Sequence, residues 1–137
     1  MEIVKKMNVP ATYIYEKILE SVIFDVRHNT GETLNRLQLR NFEYIKEYSK
    51  NSRAKIKIEK LVDNECYAYK TSTARNDFFA QYEIRPVDEY SCELHYTEKM
   101  NSFGTLQKIN DTFVGILMGF FKKKQFKNML QQIENSY

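Results

Sequence analysis

Hydrophobic residues recur along this chain with two periods, and the change from one to the other marks its elements. Ile3 to Val9 reads as a short strand. Pro10, at a first helical turn, leads into Ala11, Ile14, Ile18, Leu19, Val22, Ile23 and Val26 at helical spacing, and this helix stops at Asn29-Thr30-Gly31. Leu34, Leu37 and Leu39 belong to a short second helix or turn. Period two then takes over in strands at Phe42 to Ser49, Arg53 to Leu61, Glu65 to Thr73, Asp77 to Ile84 and Ser91 to Met100. A long helix is expected from Thr105 to Ser136, carrying the longest apolar run, Thr112 to Phe121.

Residues directly opposite one another in antiparallel strands point to the same face, so the strands can be threaded by arithmetic. A two-residue turn at Asp63-Asn64 opposes Ile58 to Tyr69 and Ile56 to Thr71. A loop over Thr73 to Asn76 then opposes Tyr67 to Tyr82, Tyr69 to Ala80 and Thr71 to Phe78, and parity adds Leu94, Tyr96 and Glu98. The register of the strand at 42–49 stays open. The opposite face, with Lys55, Lys57, Glu59, Lys70, Gln81, Glu83, Glu93, His95 and Lys99, is polar. Such a sheet is covered on one side, and the cover is expected from the last helix through Ile109, Phe113, Ile116, Leu117 and Phe120. Gly115 and Gly119 each cost about 1 kcal/mol in helix propensity, which close approach of the helix to its neighbour would offset.

The 137 residues fit one domain, 1–137, and the net charge of +3 is local. From residue 105 onward five lysines face Asp111 and Glu134, while residues 1–104 hold sixteen basic and sixteen acidic side chains. This gives no broad basic face for nucleic acid. The start of the chain lacks the apolar core of a signal peptide, and the ten-residue run at 112–121 falls short of the roughly 20 needed to span a bilayer, so a cytoplasmic protein without a transmembrane segment is expected. Cys66 and Cys92 lie on separate strands without metal or redox spacing.

A strand, two helices, a long antiparallel meander and one long C-terminal helix follow in the order of the α+β helix-grip fold, so the whole chain resembles the START and Bet v 1-like (SRPBCC) superfamily. More closely, Phe42-Glu-Tyr-Ile-Lys, Asn51-Ser-Arg-Ala-Lys-Ile-Lys-Ile, Thr71-Ser-Thr-Ala-Arg-Asn-Asp-Phe, Glu98-Lys-Met-Asn-Ser-Phe-Gly and Gly119-Phe-Phe-Lys-Lys-Lys-Gln-Phe are similar to a bacterial family catalogued as a domain of unknown function. The resemblance implies a curved antiparallel sheet wrapped around the C-terminal helix, with a cavity between them for an apolar or amphipathic ligand. It supplies no catalytic residues.

The inward face names the candidate site: Ile56, Ile58, Tyr67, Tyr69, Thr71, Phe78, Tyr82, Leu94, Tyr96 and Glu98 from the sheet, with Phe113 and Leu117 from the helix. Several tyrosine hydroxyls facing a dry core would cost about 1 to 3 kcal/mol each, which a cavity relieves. The plainer alternative is that the rings lie near strand ends and reach solvent. Glu98 is the inward carboxylate, a candidate acid, base or ligand anchor if it does not sit at the rim. His28 and His95 have no carboxylate or thiol at catalytic or metal spacing, and no glycine-rich phosphate loop occurs, so no catalytic residues, metal site or cofactor are assigned.

Three functions follow. The first is a non-enzymatic binder of a small hydrophobic or amphipathic molecule. The second is an enzyme acting on such a molecule with Glu98 and a tyrosine as acid and base. The third is a module for a homodimer or an anionic membrane surface, built on Phe120, Phe121 and Phe126 beside Lys122, Lys123, Lys124 and Lys127. Against the third, three adjacent lysines span nearly a full helical turn and cannot all address one surface, so a solvated helix end is the simpler reading.

Overall fold

A computed structural model describes residues 2–50, 52–102 and 123–137. In chain order the elements are β1 (Glu2–Met7), α1 (Ala11–Thr30), α2 (Arg36–Leu39), β2 (Glu43–Ser49), β3 (Ser52–Val62), β4 (Cys66–Ser72), β5 (Asn76–Asp88) and β6 (Ser91–Ser102). A last helix, α3, runs over 123–135. Of the helix expected from Thr105 to Ser136, the part before residue 123 lies outside the described residues, and with it Phe113, Leu117 and the two glycines.

The helix α1 forms because its apolar positions fall on one face. Ala11, Ile14, Tyr15, Leu19, Val22 and Val26 are all buried. Pro10 is the N-cap rather than a residue inside the first turn, and its carbonyl accepts from the Tyr13 and Ile14 amides. At the other end Gly31 adopts φ 80°, the left-handed conformation that a side chain disfavours, and its amide closes the helix on the Arg27 carbonyl at 2.8 Å.

Six strands form one antiparallel sheet in the order β1-β6-β5-β4-β3-β2. The threaded pairs are present: Ile56 faces Thr71, Ile58 faces Tyr69, Tyr67 faces Tyr82, Tyr69 faces Ala80 and Thr71 faces Phe78. The β3–β4 turn differs. Val62 pairs with Cys66, so the loop holds Asp63, Asn64 and Glu65, with Asn64 at φ 63° and the Glu65 amide bonded to the Val62 carbonyl at 3.0 Å. A bulge between Ile58 and Lys60 absorbs the extra residue. It also turns Leu61 inward, where it is 6% exposed, although strict alternation puts Leu61 on the polar face. For β2, Tyr44 pairs with Ile56 and Lys46 with Ala54, which directs Tyr44 and Lys46 to the inner face and leaves Ile45 outside.

The inner face carries the core, while the outer face is laced by exposed pairs such as Lys55 with Glu43 and Arg85 with Glu83. Both α1 and α3 pack on the inner face. From α3, Leu130 is 2% exposed, and Phe126 stacks on Tyr96 with ring centroids 4.2 Å apart. Phe126 is therefore partly buried against the core, whereas Lys123, Lys124 and Lys127 are exposed, and Phe120, Phe121 and Lys122 lie outside the described residues.

Candidate functional site

Between α1, α3 and the inner face lies a cavity of about 1040 Å³. Its floor is aromatic. Tyr67 stacks on Tyr69 and Tyr82, with centroids 5.4 and 5.7 Å away, and Tyr82 meets Tyr96 at 4.7 Å. The cross-strand pairing of Tyr67 with Tyr82 and Tyr82 with Tyr96 brings these rings together. Ile14, Ile18 and Val22 of α1 form one wall, Met129, Leu130 and Ile133 of α3 another, and the exposed Phe24 and Tyr48 belong to the rim.

Of the expected residues, Ile56, Tyr67, Tyr69, Thr71, Phe78, Tyr82 and Glu98 line this cavity. Ile58, 1% exposed, and Leu94, also 1% exposed, are packed into the buried core cluster instead. Tyr96, at 2% exposure, lies beneath the lining and donates its hydroxyl to Glu98 Oε1. Phe113 and Leu117 lie outside the described residues.

Lys17, Glu20, Ser21, Thr71 and Thr73 also line the cavity, and two hydrogen-bonded polar clusters reach it. Tyr96 and Glu98 form one. The other is centred on Asp25 of α1, whose Oδ2 accepts from the Tyr44 hydroxyl at 2.5 Å and whose Oδ1 accepts from Lys46 Nζ at 2.8 Å. Lys46 Nζ also sits 5.5 Å from the Tyr48 ring centroid. Burial raises the tyrosine pKa values. Tyr69 is pushed up to about 12, mainly by burial and then by the nearby Glu98 charge. Tyr67 and Tyr82 rise well above the ordinary value, again mainly by burial. Tyr44 and Tyr96 rise as well, by burial first and then by donation to Asp25 and Glu98 respectively. At neutral pH these phenols remain protonated donors. Among the described residues no group of three or more His, Cys, Asp or Glu side chains is placed to hold a metal, and no helix is long and apolar enough to cross a membrane.

A family model described as "Domain of unknown function (DUF3284)" matches residues 1–119. The chain belongs to the DUF3284 family. No curated protein matches it. Among solved structures, a START superfamily protein from Mycobacterium smegmatis is similar over 100% of this chain and 98% of its own, with 11% identity and a TM-score of 0.61. Ara h 8.0201 is similar over 99% and 95%, with 12% identity and a TM-score of 0.60. Norcoclaurine synthase from Thalictrum flavum is similar over 98% and 83%, with 8% identity and a TM-score of 0.56. At such identities the likeness speaks for the fold, and this DUF3284 chain has the α+β helix-grip architecture.

Sequence reasoning missed the α1 and β2 side of the site in this DUF3284 protein. Asp25, Tyr44, Lys46 and Tyr48 all line the cavity. One signal was available: Asp25 lies three residues after Val22 and seven after Ile18, in register with the apolar stripe of α1. A carboxylate placed there faces its partners inward rather than water.

Proposed function

We propose that this DUF3284 protein binds a small hydrophobic or amphipathic molecule in the cavity between the sheet, α1 and α3, as a cytoplasmic binder rather than an enzyme. The observation that carries the reading is the cavity itself, about 1040 Å³ with a tyrosine floor, apolar residues from α1 and α3 in its walls, and charged groups that include Asp25, Lys46 and Glu98. A concave site that joins aromatic and apolar side chains to polar groups able to orient a ligand is what small-molecule sites have in common. The START and Bet v 1-like resemblance points the same way. The raised tyrosine pKa values favour binding over acid–base chemistry, because Tyr96 and its neighbours hold their protons at neutral pH and serve as donors instead of bases.

Native mass spectrometry of freshly purified protein, followed by denaturing extraction, tests this directly. The expected result is a mass adduct that the extraction releases as a small amphiphile or apolar compound. Intrinsic tyrosine fluorescence provides a second readout, since the chain has 10 tyrosines and no tryptophan. A protein that carries no adduct, and whose tyrosine emission no aliphatic amphiphile changes, would rule the reading out.

A further inference from the structure

The polar corner at Asp25 holds an ammonium group, and that ammonium belongs to the chain itself. Lys46 Nζ lies 2.8 Å from Asp25 Oδ1 and 5.5 Å from the Tyr48 ring centroid, while Tyr44 donates to the other carboxylate oxygen. A carboxylate, a phenol that fixes it and an aromatic ring within cation–π range together form a cradle for a cationic nitrogen. All four residues line the cavity, so the cradle opens onto the space proposed for the ligand. We infer that this corner is an amine subsite for which Lys46 is the resident stand-in, and that the preferred ligand is an amphiphile carrying a primary ammonium group, which takes the place of the Lys46 ammonium.

The inference rests on the binding function proposed above and gives the ligand its chemical class. Lysine suits a displaceable occupant. Its four-carbon stem is flexible, β2 is an edge strand, and the side chain is 31% exposed, so the displaced ammonium has a path to water. An anionic head group fits less well. To reach Lys46 it must also approach the Asp25 carboxylate, which already occupies the same ammonium, and the like charges repel. The floor leads away from the corner through Ile56, Tyr69 and Tyr67, which suits an apolar tail.

The test compares decylamine, decanoate and decanol at neutral pH, below micelle formation, by calorimetry on the wild-type chain and on Lys46→Ala and Asp25→Asn. Decylamine is expected to bind the wild type more tightly than decanoate. Lys46→Ala, which removes the internal competitor, should tighten decylamine by about tenfold and weaken decanoate. Asp25→Asn should weaken decylamine by about tenfold and decanol by much less, the retained decanol binding showing that the cavity is still formed. Preference of the wild type for decanoate, or weaker decylamine binding by Lys46→Ala, overturns the amine subsite while the cavity reading survives through decanol. If none of the three binds the wild type, the cavity reading itself falls and takes this inference with it.

Discussion

Tyr15 provides a quantitative test of the core. The residue is 0% exposed, and its hydroxyl has no hydrogen-bond partner among the described residues. Burial is the main cause that pushes its pKa up to about 12. A buried hydroxyl without a partner costs about 1 to 3 kcal/mol relative to the same group in water. Tyr15→Phe deletes that group and keeps the ring, including its place beneath the Arg36 guanidinium, whose carbon is 5.9 Å from the centroid. The cavity left by one oxygen is small, so the desolvation gain should dominate. We expect stabilisation of about 1 kcal/mol, seen as a rise of roughly 3 to 5 °C in Tm for a chain of this size, with an unchanged m-value in urea. Differential scanning calorimetry and urea titration followed by circular dichroism supply both quantities. A loss of 1 kcal/mol or more would refute the reasoning, since it would mean that the hydroxyl is satisfied in the folded protein.

Alkaline unfolding should be steep, because Tyr15, Tyr44, Tyr67, Tyr69, Tyr82 and Tyr96 all have raised pKa values in the folded state. Their contribution is fully present below the unfolded value near 10 and is lost as pH climbs toward 12 and beyond, so tyrosinate absorbance from these six should appear together with the loss of circular dichroism, and titration of all ten tyrosines in a still-folded chain would contradict it. Phe126→Ala removes the ring stacked 4.2 Å from Tyr96 and 5.9 Å from Tyr82, and should cost about 2 to 3 kcal/mol while hydrogen exchange accelerates first in α3; a change below about 0.5 kcal/mol would place α3 elsewhere. Gly31→Ala meets no atom within 4 Å of the new Cβ, so its cost should be purely conformational, about 1 kcal/mol, and Gly31→Asn should cost less; equal losses would show that φ is not the constraint.

The sheet was legible because its alternation is strong, and its register tolerated an error in the loop. Pairing Ile56 with Thr71 and Ile58 with Tyr69 follows equally from a two-residue turn and from a three-residue turn with a bulge, since the bulge restores the offset. The clue separating the two was the spacing of Ile58 and Leu61, three apart with Glu59 and Lys60 between them, where strict alternation requires an even step. What covers the sheet was less legible. Parity identifies the buried face but not which helix lies over which part of it, so assigning the cover to the last helix alone overlooked α1. The Asp25, Tyr44 and Lys46 cluster joins residues 19 and 21 positions apart on two elements, and its members are ordinary surface residues in local sequence. Only the β2 register, which local pattern leaves open, turns Lys46 inward.

The contrast between Tyr15 and the floor tyrosines bears on why the floor is tyrosine and not phenylalanine. Tyr15 is sealed on the packed face of α1, and its hydroxyl is an orphan among the described residues. Around the floor, Tyr44 and Tyr96 donate hydrogen bonds to Asp25 and Glu98, whereas Tyr67 and Tyr82 have no hydroxyl partner among the described residues and both line the cavity. Were the floor sealed as Ile58 and Leu94 are, each of those two hydroxyls would carry the same cost as Tyr15, about 1 to 3 kcal/mol. Phenylalanine would then be the better residue at 67 and 82. The choice of tyrosine makes physical sense when the hydroxyls meet water or a ligand group across open space, so Tyr67→Phe and Tyr82→Phe should leave stability within about 0.5 kcal/mol and change ligand affinity instead. Measured by calorimetry with and without the extracted ligand, a stability loss above 1 kcal/mol without an affinity change would make these hydroxyls structural and remove the argument for an open floor.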